Sequence, residues 1–314
     1  MAPAVSVVIP ALNEARYIQS CLKSILAQEI DGELEVIVAD GDSSDDTAAI
    51  ARSLGARVAA NPGRSIPAGL NRGLELVRSE VFVRFDAHSE MAPGYLLACL
   101  RALADEQDAA NVGGWCEPVA ESPWGRAIGA ALASPLGVGN ARLWRKPRPG
   151  SSRQEVETVP FGCFRTSALR EVAGWREDIL ANEDFELNYR LRRHGWRIIF
   201  DPQIRSIYRP RETYRKIVSQ YWRYGRWKAI VLADAPRSLE PRQLAPPALV
   251  AVMGAAPFSR RLRLALLVYA GVIAAATLNS RGGWRTAPTL TSMHVAWGAG
   301  FLTECLTRNL GKMA

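Results

Sequence analysis

Glu80-Val81-Phe82-Val83-Arg84-Phe85-Asp86-Ala87-His88-Ser89-Glu90 is the stretch whose reading decides the fold. Val81, Phe82, Val83 and Phe85 make a short β-branched and aromatic run, which predicts a buried strand. The run breaks off at Asp86-Ala87-His88, so a carboxylate and an imidazole arrive together at a strand end. Hard divalent cations such as Mg²⁺ or Mn²⁺ accept carboxylate and some imidazole, and they keep positions open for phosphate oxygens. In an open α/β sheet, ligands bind outside the carboxyl ends of the strands. An Asp that merely ends a strand is the commoner occurrence. The rest of the chain must therefore show whether a nucleotide site surrounds Asp86 and His88.

Upstream, Val5-Ser6-Val7-Val8-Ile9-Pro10 reads as a strand stopped by proline. Tyr17, Ile18, Cys21, Leu22, Ile25 and Leu26 then recur at helical spacing. A second apolar run, 34–39, leads into Asp40-Gly41-Asp42-Ser43-Ser44-Asp45-Asp46-Thr47 and a helix over 47–54. A brief strand over 57–60, a loop over 61–65 and a helix over 66–78 complete the approach to Val81. This alternation predicts a parallel sheet with crossover helices. Each strand end offers groups for a nucleotide: Pro10, Asn13 and Glu14, then Asp40 and Asp42, then Arg64, then Asp86 and His88. Ser44 or Asp45 also suits a helix cap. No G-x-G-x-x-G follows the first strand, which disfavours an ordinary dinucleotide fold. Side chains would then read base and ribose, leaving the diphosphate to a metal at Asp86 and to basic groups.

Val7-Val8-Ile9-Pro10-Ala11-Leu12-Asn13-Glu14 and the 36–47 segment resemble the opening signatures of family 2 glycosyltransferases. That resemblance implies a GT-A fold, an α/β architecture with a mostly parallel sheet, and a nucleotide-diphosphate sugar donor. The usual Asp-Asp-Gly-Ser signature is Asp40-Gly41-Asp42-Ser43 in this chain, and the usual Asp-x-Asp is Asp86-Ala87-His88. Asp86 is thus the surer metal ligand and His88 the second. The Asp-Ala-His spelling is similar to the exopolysaccharide enzymes of succinoglycan type, as are Gly137-Val138-Gly139-Asn140 and Thr158-Val159-Pro160-Phe161-Gly162.

Leu180-Ala181-Asn182-Glu183-Asp184-Phe185-Glu186 opens a further helix. Asn182 can cap it, and the acids suit the positive end of its dipole. The resemblance implies more, because the family places its general base at the Asp of such a Glu-Asp pair, which is Asp184. A single base fits inversion by direct displacement. Gln220-Tyr221-Trp222-Arg223-Tyr224 resembles the Gln-x-x-Arg-Trp signature of processive polysaccharide synthases, with Tyr224 in the Trp place. Glu183, Gln220, Arg223 and Tyr224 are accordingly expected on the acceptor side. On a helix Gln220, Arg223 and Trp227 share a face; the plainer reading is a basic helix at a membrane surface.

The 314 residues, 48% hydrophobic and 22% charged, suffice for a full core and exclude a disordered or low-complexity chain. The net charge of +8 suits nucleic acid, anionic lipid or polyanionic substrates without choosing among them. Arg142, Arg145, Lys146, Arg148 and Arg153 form a basic loop, read either as solvated or as closing over a pyrophosphate-bearing acceptor. Five scattered cysteines without a C-x-x-C pair read as free thiols. No secretory signal precedes Val5, so the catalytic part is expected in the cytoplasm. The apolar runs 244–258, 262–278 and 287–303 are at or below the roughly twenty residues that crossing a bilayer requires. They predict a membrane-associating helical tail, spanning or lying in plane.

The expectation is a GT-A domain over 1–230 followed by a hydrophobic helical tail over 231–314. It would be a metal-dependent inverting transferase on the cytoplasmic face of the membrane, using a UDP-sugar and a lipid-linked saccharide acceptor. A polyprenyl-phosphate sugar synthase is the rival enzyme. A basic nucleic-acid-binding protein is the rival outside enzymes, and the acids at each strand end argue against it because they repel phosphates.

Overall fold

The structure, a computed structural model, describes residues 4–138, 141–210, 212–278 and 280–311. It divides into two compact units, Met1–Glu117 with Arg145–Tyr208, and Pro118–Trp144 with Arg209–Ala314. The first unit runs β1 (Val5–Ala11), α1 (Ile18–Leu26), β2 (Leu34–Asp40), α2 (Thr47–Ser53), β3 (Arg57–Ala60), α3 (Ile66–Leu76) and β4 (Val81–Arg84). β5 (Ser89–Met91), α4 (Tyr95–Asp105) and β6 (Ala109–Pro118) follow. After α5 (Pro123–Leu132), which belongs to the second unit, the first resumes with β7 (Gln154–Glu155), β8 (Cys163–Arg165), α6 (Thr166–Glu171), α7 (Glu183–Arg193) and β9 (Arg197–Tyr208). The second unit closes with α8 (Tyr214–Asp234), α9 (Ala245–Ala255), α10 (Arg260–Thr277) and α11 (Thr286–Gly311).

Among the described residues nine strands form one sheet, in the order β3-β2-β1-β4-β8-β6-β9-β5 with β7 beside β9. β3, β2, β1 and β4 are parallel, the half that the strand–helix alternation predicts. β8 pairs antiparallel with both β4 and β6, and β5 and β7 pair antiparallel with β9. Val5, Val7, Val8 and Ile9 are all fully buried, which is why β1 is a continuous apolar run rather than an alternating one. Ser65 caps α3 by accepting from the Ala68 amide at 3.3 Å, with Pro67 in the first turn.

Two strand ends differ from expectation. Pro10 does not stop β1, which continues to Ala11. β1 pairs with β4 only as far as Val8, whose carbonyl accepts from the Phe85 amide at 3.0 Å. Pro10 faces the same side two residues on, beyond that ladder, so its missing N–H costs no hydrogen bond. Ile198-Ile199-Phe200-Asp201-Pro202 reads from sequence as a last short strand ending at its proline, yet β9 runs on to Tyr208. All five cysteines are free, as expected, and burial pushes the Cys116 thiol up to about 12.

In the second unit α11 lies along α8, and paired glycines bring the two backbones together. A Cβ on Gly225 would fall on the Trp297 carbonyl, and one on Gly300 on the Trp222 carbonyl. Arg226 of α8 donates to Glu304 of α11 at 2.8 and 2.9 Å. His294 joins α10 to the rest: its Nε2 lies 2.6 Å from the Leu136 carbonyl and its Nδ1 2.9 Å from the Tyr269 hydroxyl. The ring therefore donates through Nε2 and accepts at Nδ1, as a neutral imidazole. No helix among the described residues is long and apolar enough to cross a membrane.

Gly225→Val should cost at least about 1 kcal/mol, since overpacking a close helix contact is destabilising; chemical denaturation monitored by circular dichroism measures it. A pH effect follows from His294, whose pKa is lowered below its ordinary value chiefly by burial. The unfolded chain takes up that proton first. Its stabilising contribution is complete above about pH 6.5 and is lost as pH falls through the lower folded value. Thermal midpoints should fall from neutral toward acid pH, and His294→Gln should flatten that slope.

Candidate active site

The loops after β1 and β2 are laced together by hydrogen bonds. The Asn13 amide donates to Ser43 Oγ at 2.9 Å and the Glu14 amide to Thr47 Oγ1 at 2.8 Å, while Asn13 Oδ1 accepts from the Ser44 amide at 2.9 Å. Asn13, Asp42 and Arg64 each adopt positive φ, at 55°, 64° and 51°. Such backbone is uncommon for residues with a Cβ and is held in place by surrounding structure. Asp40 Oδ2 accepts from the Ser43 amide at 3.2 Å, whereas Asp40 Oδ1 is shut from solvent with no donor among the described residues. Arg64 reaches Asp42 at 3.3 Å, both side chains well exposed. The α2 cap expected from Ser44 or Asp45 is not a regular one: Asp46 holds the cap position without a side-chain bond, and Asp45 accepts from the Thr47 amide at 3.0 Å.

β4 supplies the group that organises the site. Arg84 is only 5% exposed, and its guanidinium meets three carboxylates. Nη2 lies 3.2 Å from Asp86 Oδ1 and 3.4 Å from Glu183 Oε1, and Nη1 pairs with Asp184 Oδ2. Asp86 and the Glu183-Asp184 pair, nearly a hundred residues apart in sequence, are thus held on one cation. Asp184 Oδ1 also accepts from Trp175 Nε1 at 3.3 Å. Trp175 is itself fixed: its amide donates to Asn71 Oδ1 at 2.8 Å, its carbonyl accepts from Asn71 Nδ2 at 2.8 Å, and its ring packs on Phe82 and Phe164.

α7 separates the roles of its first-turn acids. Glu186 accepts from Arg190 at 2.7 and 2.9 Å within the helix, while Glu183 and Asp184 turn to Arg84. The expected Asn182 cap is not formed. Asn182 sits at the cap position in left-handed backbone, φ 64°, and makes no capping bond through its side chain.

His88 Nδ1 lies 3.3 Å from Glu14 Oε1, which ties the loop after β4 to the loop after β1. A carboxylate on one ring nitrogen is the usual support of an imidazole that ligates metal through the other. Among the described residues no group of three or more His, Cys, Asp or Glu forms a closed metal cage. Asp86 and His88 nevertheless fit Mg²⁺ or Mn²⁺, which bind through one or two carboxylates plus substrate phosphates rather than in all-protein cages. One guanidinium faces three carboxyl groups here, so acids outnumber bases beside the oxygen donors that a divalent cation accepts.

The remaining sequence candidates stand on other elements. Pro10 is within β1, opposite Ala39 of β2. Gln220, Arg223 and Tyr224 are on α8 in the second unit, where Gln220 Nε2 donates to Tyr224 Oη at 2.7 Å and Arg223 is exposed. Gln220 is thus engaged with Tyr224 one turn on. Arg153, counted in the basic loop read either as solvated or as closing over a pyrophosphate-bearing acceptor, is paired with Asp201 and Asp105 at 2.6 and 2.8 Å. Gly139 and Asn140 lie outside the described residues, as does the side chain of Arg142.

Residues 6–173 match the profile of Glycosyl transferase family 2. The chain belongs to that family. Residues 161–303 also match Glycosyl transferase family group 2. The Succinoglycan biosynthesis protein ExoA of Rhizobium meliloti is 31% identical over 324 residues, covering 96% of this chain and 94% of that protein. A dolichyl N-acetyl-alpha-D-glucosaminyl phosphate 3-beta-D-2,3-diacetamido-2,3-dideoxy-beta-D-glucuronosyltransferase of Methanococcus voltae is 25% identical over 241 residues, covering 73% of this chain and 74% of that protein. Among solved structures, the mannosyltransferase PcManGT of Pyrobaculum calidifontis, in complex with GDP-Man and Mn²⁺, aligns with TM-score 0.66 at 20% identity. That alignment covers 97% of this chain and 88% of that one, and it shows the shared fold. In this chain Asp86 and Asp184, drawn from two separate motifs, meet on the one guanidinium of Arg84.

Two residues of this cluster escaped the sequence reading, Arg84 and Trp175. A signal for Arg84 was present: arginine is almost never fully buried unless paired, yet this one sits within an apolar strand. Trp175, in Gly174-Trp175-Arg176, carries no such mark. Arg84→Met should cost about 3–5 kcal/mol, because it strands carboxylates gathered around a buried cation. Mn²⁺ should then raise the thermal midpoint of the variant more than that of the wild type, a comparison made by differential scanning fluorimetry.

Proposed function

We propose that this family 2 glycosyltransferase moves a sugar, with inversion at the anomeric carbon, from a UDP-sugar to a lipid-linked saccharide during exopolysaccharide or cell-envelope glycan synthesis. The observation that carries the reading is the holding of Asp86 and Asp184 on one buried guanidinium. In this reading one carboxylate serves the donor's diphosphate and the other the acceptor's hydroxyl.

The unpartnered Asp40 Oδ1 suits the imide N–H of a uracil base, and Asn13, Glu14 and Arg64 border the same strand ends. Asp86, with His88 supported by Glu14, would hold Mg²⁺ or Mn²⁺, which as a Lewis acid offsets charge developing on the departing diphosphate. The acceptor hydroxyl attacks the anomeric carbon as its proton passes to Asp184. The new glycosidic bond forms as the bond to the nucleoside diphosphate breaks. A carboxylate has acceptor sites beyond those taken by Arg84 and Trp175, so Asp184 can receive that proton without leaving either. No second carboxylate is needed as a nucleophile. Glu183, on the same guanidinium, is assigned to the acceptor in this reading, as are Gln220, Arg223 and Tyr224 for its further sugars. The similarity to a succinoglycan biosynthesis protein over nearly the whole of both chains supports the polysaccharide context.

Asp184→Asn retains shape but cannot take the proton. Turnover should fall by about two to four orders of magnitude, with the donor dissociation constant little changed. Glu183→Gln is a matched control, since it removes one charge from the same guanidinium; its turnover should fall far less. Assays with a panel of UDP- and GDP-sugars, with and without Mn²⁺, identify the donor. Near-normal turnover in Asp184→Asn would contradict its role as base. Loss that tracks donor affinity would make Asp184 a positioning residue.

A further inference from the structure

α10 has two opposite faces. Leu262, Leu266, Tyr269, Ile273 and Thr277, spaced at three to four residues, form the inner face, where Ile273 and Thr277 are buried and Tyr269 meets His294 of α11. The opposite face carries Leu264, Leu267, Val268 and Val272 at the same spacing, and it is exposed. Leu267 is 68% and Val268 67% exposed. From Leu264 to Ala276 every exposed residue is Leu, Val, Ala or Gly. A helix that faced water would carry polar residues there, as amphipathic helices do. Phe258 and Leu278, at the two ends of the helix, are 90% and 80% exposed. An apolar surface of this extent marks an interaction site.

Charge selects the occupant. No Asp or Glu lies between Glu240 and Glu304, whereas six arginines do: Arg242, Arg260, Arg261, Arg263, Arg281 and Arg285. Arg260 and Arg261 flank the outer face at the start of α10 and are exposed. A second copy of this chain would bring the same positive charges into contact with them. An anionic bilayer offers the opposite charge together with an apolar interior. No described helix is suited to crossing that bilayer, so α10 would lie in the interface with its outer face down.

We propose that the outer face of α10 seats this transferase on an anionic lipid bilayer, parallel to its plane, with Arg260 and Arg261 at the headgroups. The inference deepens the proposed lipid-linked acceptor and rests on it only for its purpose. The seating would keep the enzyme at the surface where such an acceptor resides.

The test uses the full chain and sucrose-loaded vesicles, either phosphatidylcholine alone or phosphatidylcholine mixed equally with phosphatidylglycerol. The wild type should sediment with the mixed vesicles and much less with phosphatidylcholine alone. Arg260→Gln with Arg261→Gln should weaken the mixed-vesicle binding by more than about tenfold. Leu267→Glu with Val268→Glu should abolish it while leaving the thermal midpoint in place, since both side chains are exposed. Fluorophores on Leu264→Cys, Val268→Cys and Val272→Cys, in a Cys305→Ser background, should be quenched at one shallow depth. Depths that increase steadily along the helix would overturn the in-plane placement. Binding unaffected by the two glutamates would overturn the site. A lipid-independent dimer that the glutamates dissociate would overturn the choice of occupant. Asp184→Asn should bind vesicles like the wild type, so failure of the proposed chemistry and failure of this seating give different results.

Discussion

A guanidinium buried in a sheet can be kept only by carboxylates, and Arg84 is kept by Asp86, Glu183 and Asp184. Removing a full charge from water is expensive unless the charge is paired and hydrogen-bonded. The cost of seating Arg84 in β4 is therefore tolerable only in the fold that brings α7 to the end of that strand. The same pairing gathers the two acids to which the proposed chemistry assigns metal and base. Trp175 adds a fixed donor on Asp184, so the proposed base is oriented from two directions.

Around this centre the carboxyl ends of the parallel strands are tied loop to loop. Ser43 and Ser44 bind Asn13, Thr47 binds the Glu14 amide, and Glu14 meets His88. The left-handed backbone of Asn13, Asp42 and Arg64 falls in these loops. Such local conformations cost energy and recur where a ligand must be met with fixed geometry. The second unit is organised on another principle, close helix contact. Gly225 and Gly300 let α8 and α11 touch backbone to backbone, while α10 keeps an apolar face turned outward.

The parallel half of the sheet was legible in the sequence because its strands are continuous apolar runs separated by helices with periodic apolar faces. The 57–60 strand lies where it was expected, whereas β5, β7 and β8 span only two or three residues and leave no periodicity to detect. Pro10 and Pro202 misled because proline is tolerated in a strand wherever its N–H is not needed, and that depends on neighbouring strands rather than on local sequence. At the candidate site, Asp86, Glu183 and Asp184 were singled out by their motifs, yet the Arg84 that joins them was not. Arg84 and Trp175 act through contacts between distant segments, which one-dimensional spacing does not encode. In the tail the composition showed apolar and basic character, but only the three-dimensional arrangement separates the inner face of α10 from its outer one.

The central claim is that one carboxylate, Asp184, serves a single displacement at the anomeric carbon, with no covalent intermediate on the protein. The anomeric configuration of the first-formed product, followed by proton NMR from a donor of known configuration, tests that claim most directly. The account predicts a product of inverted configuration from the earliest time point. A product that retains the donor's configuration would contradict it.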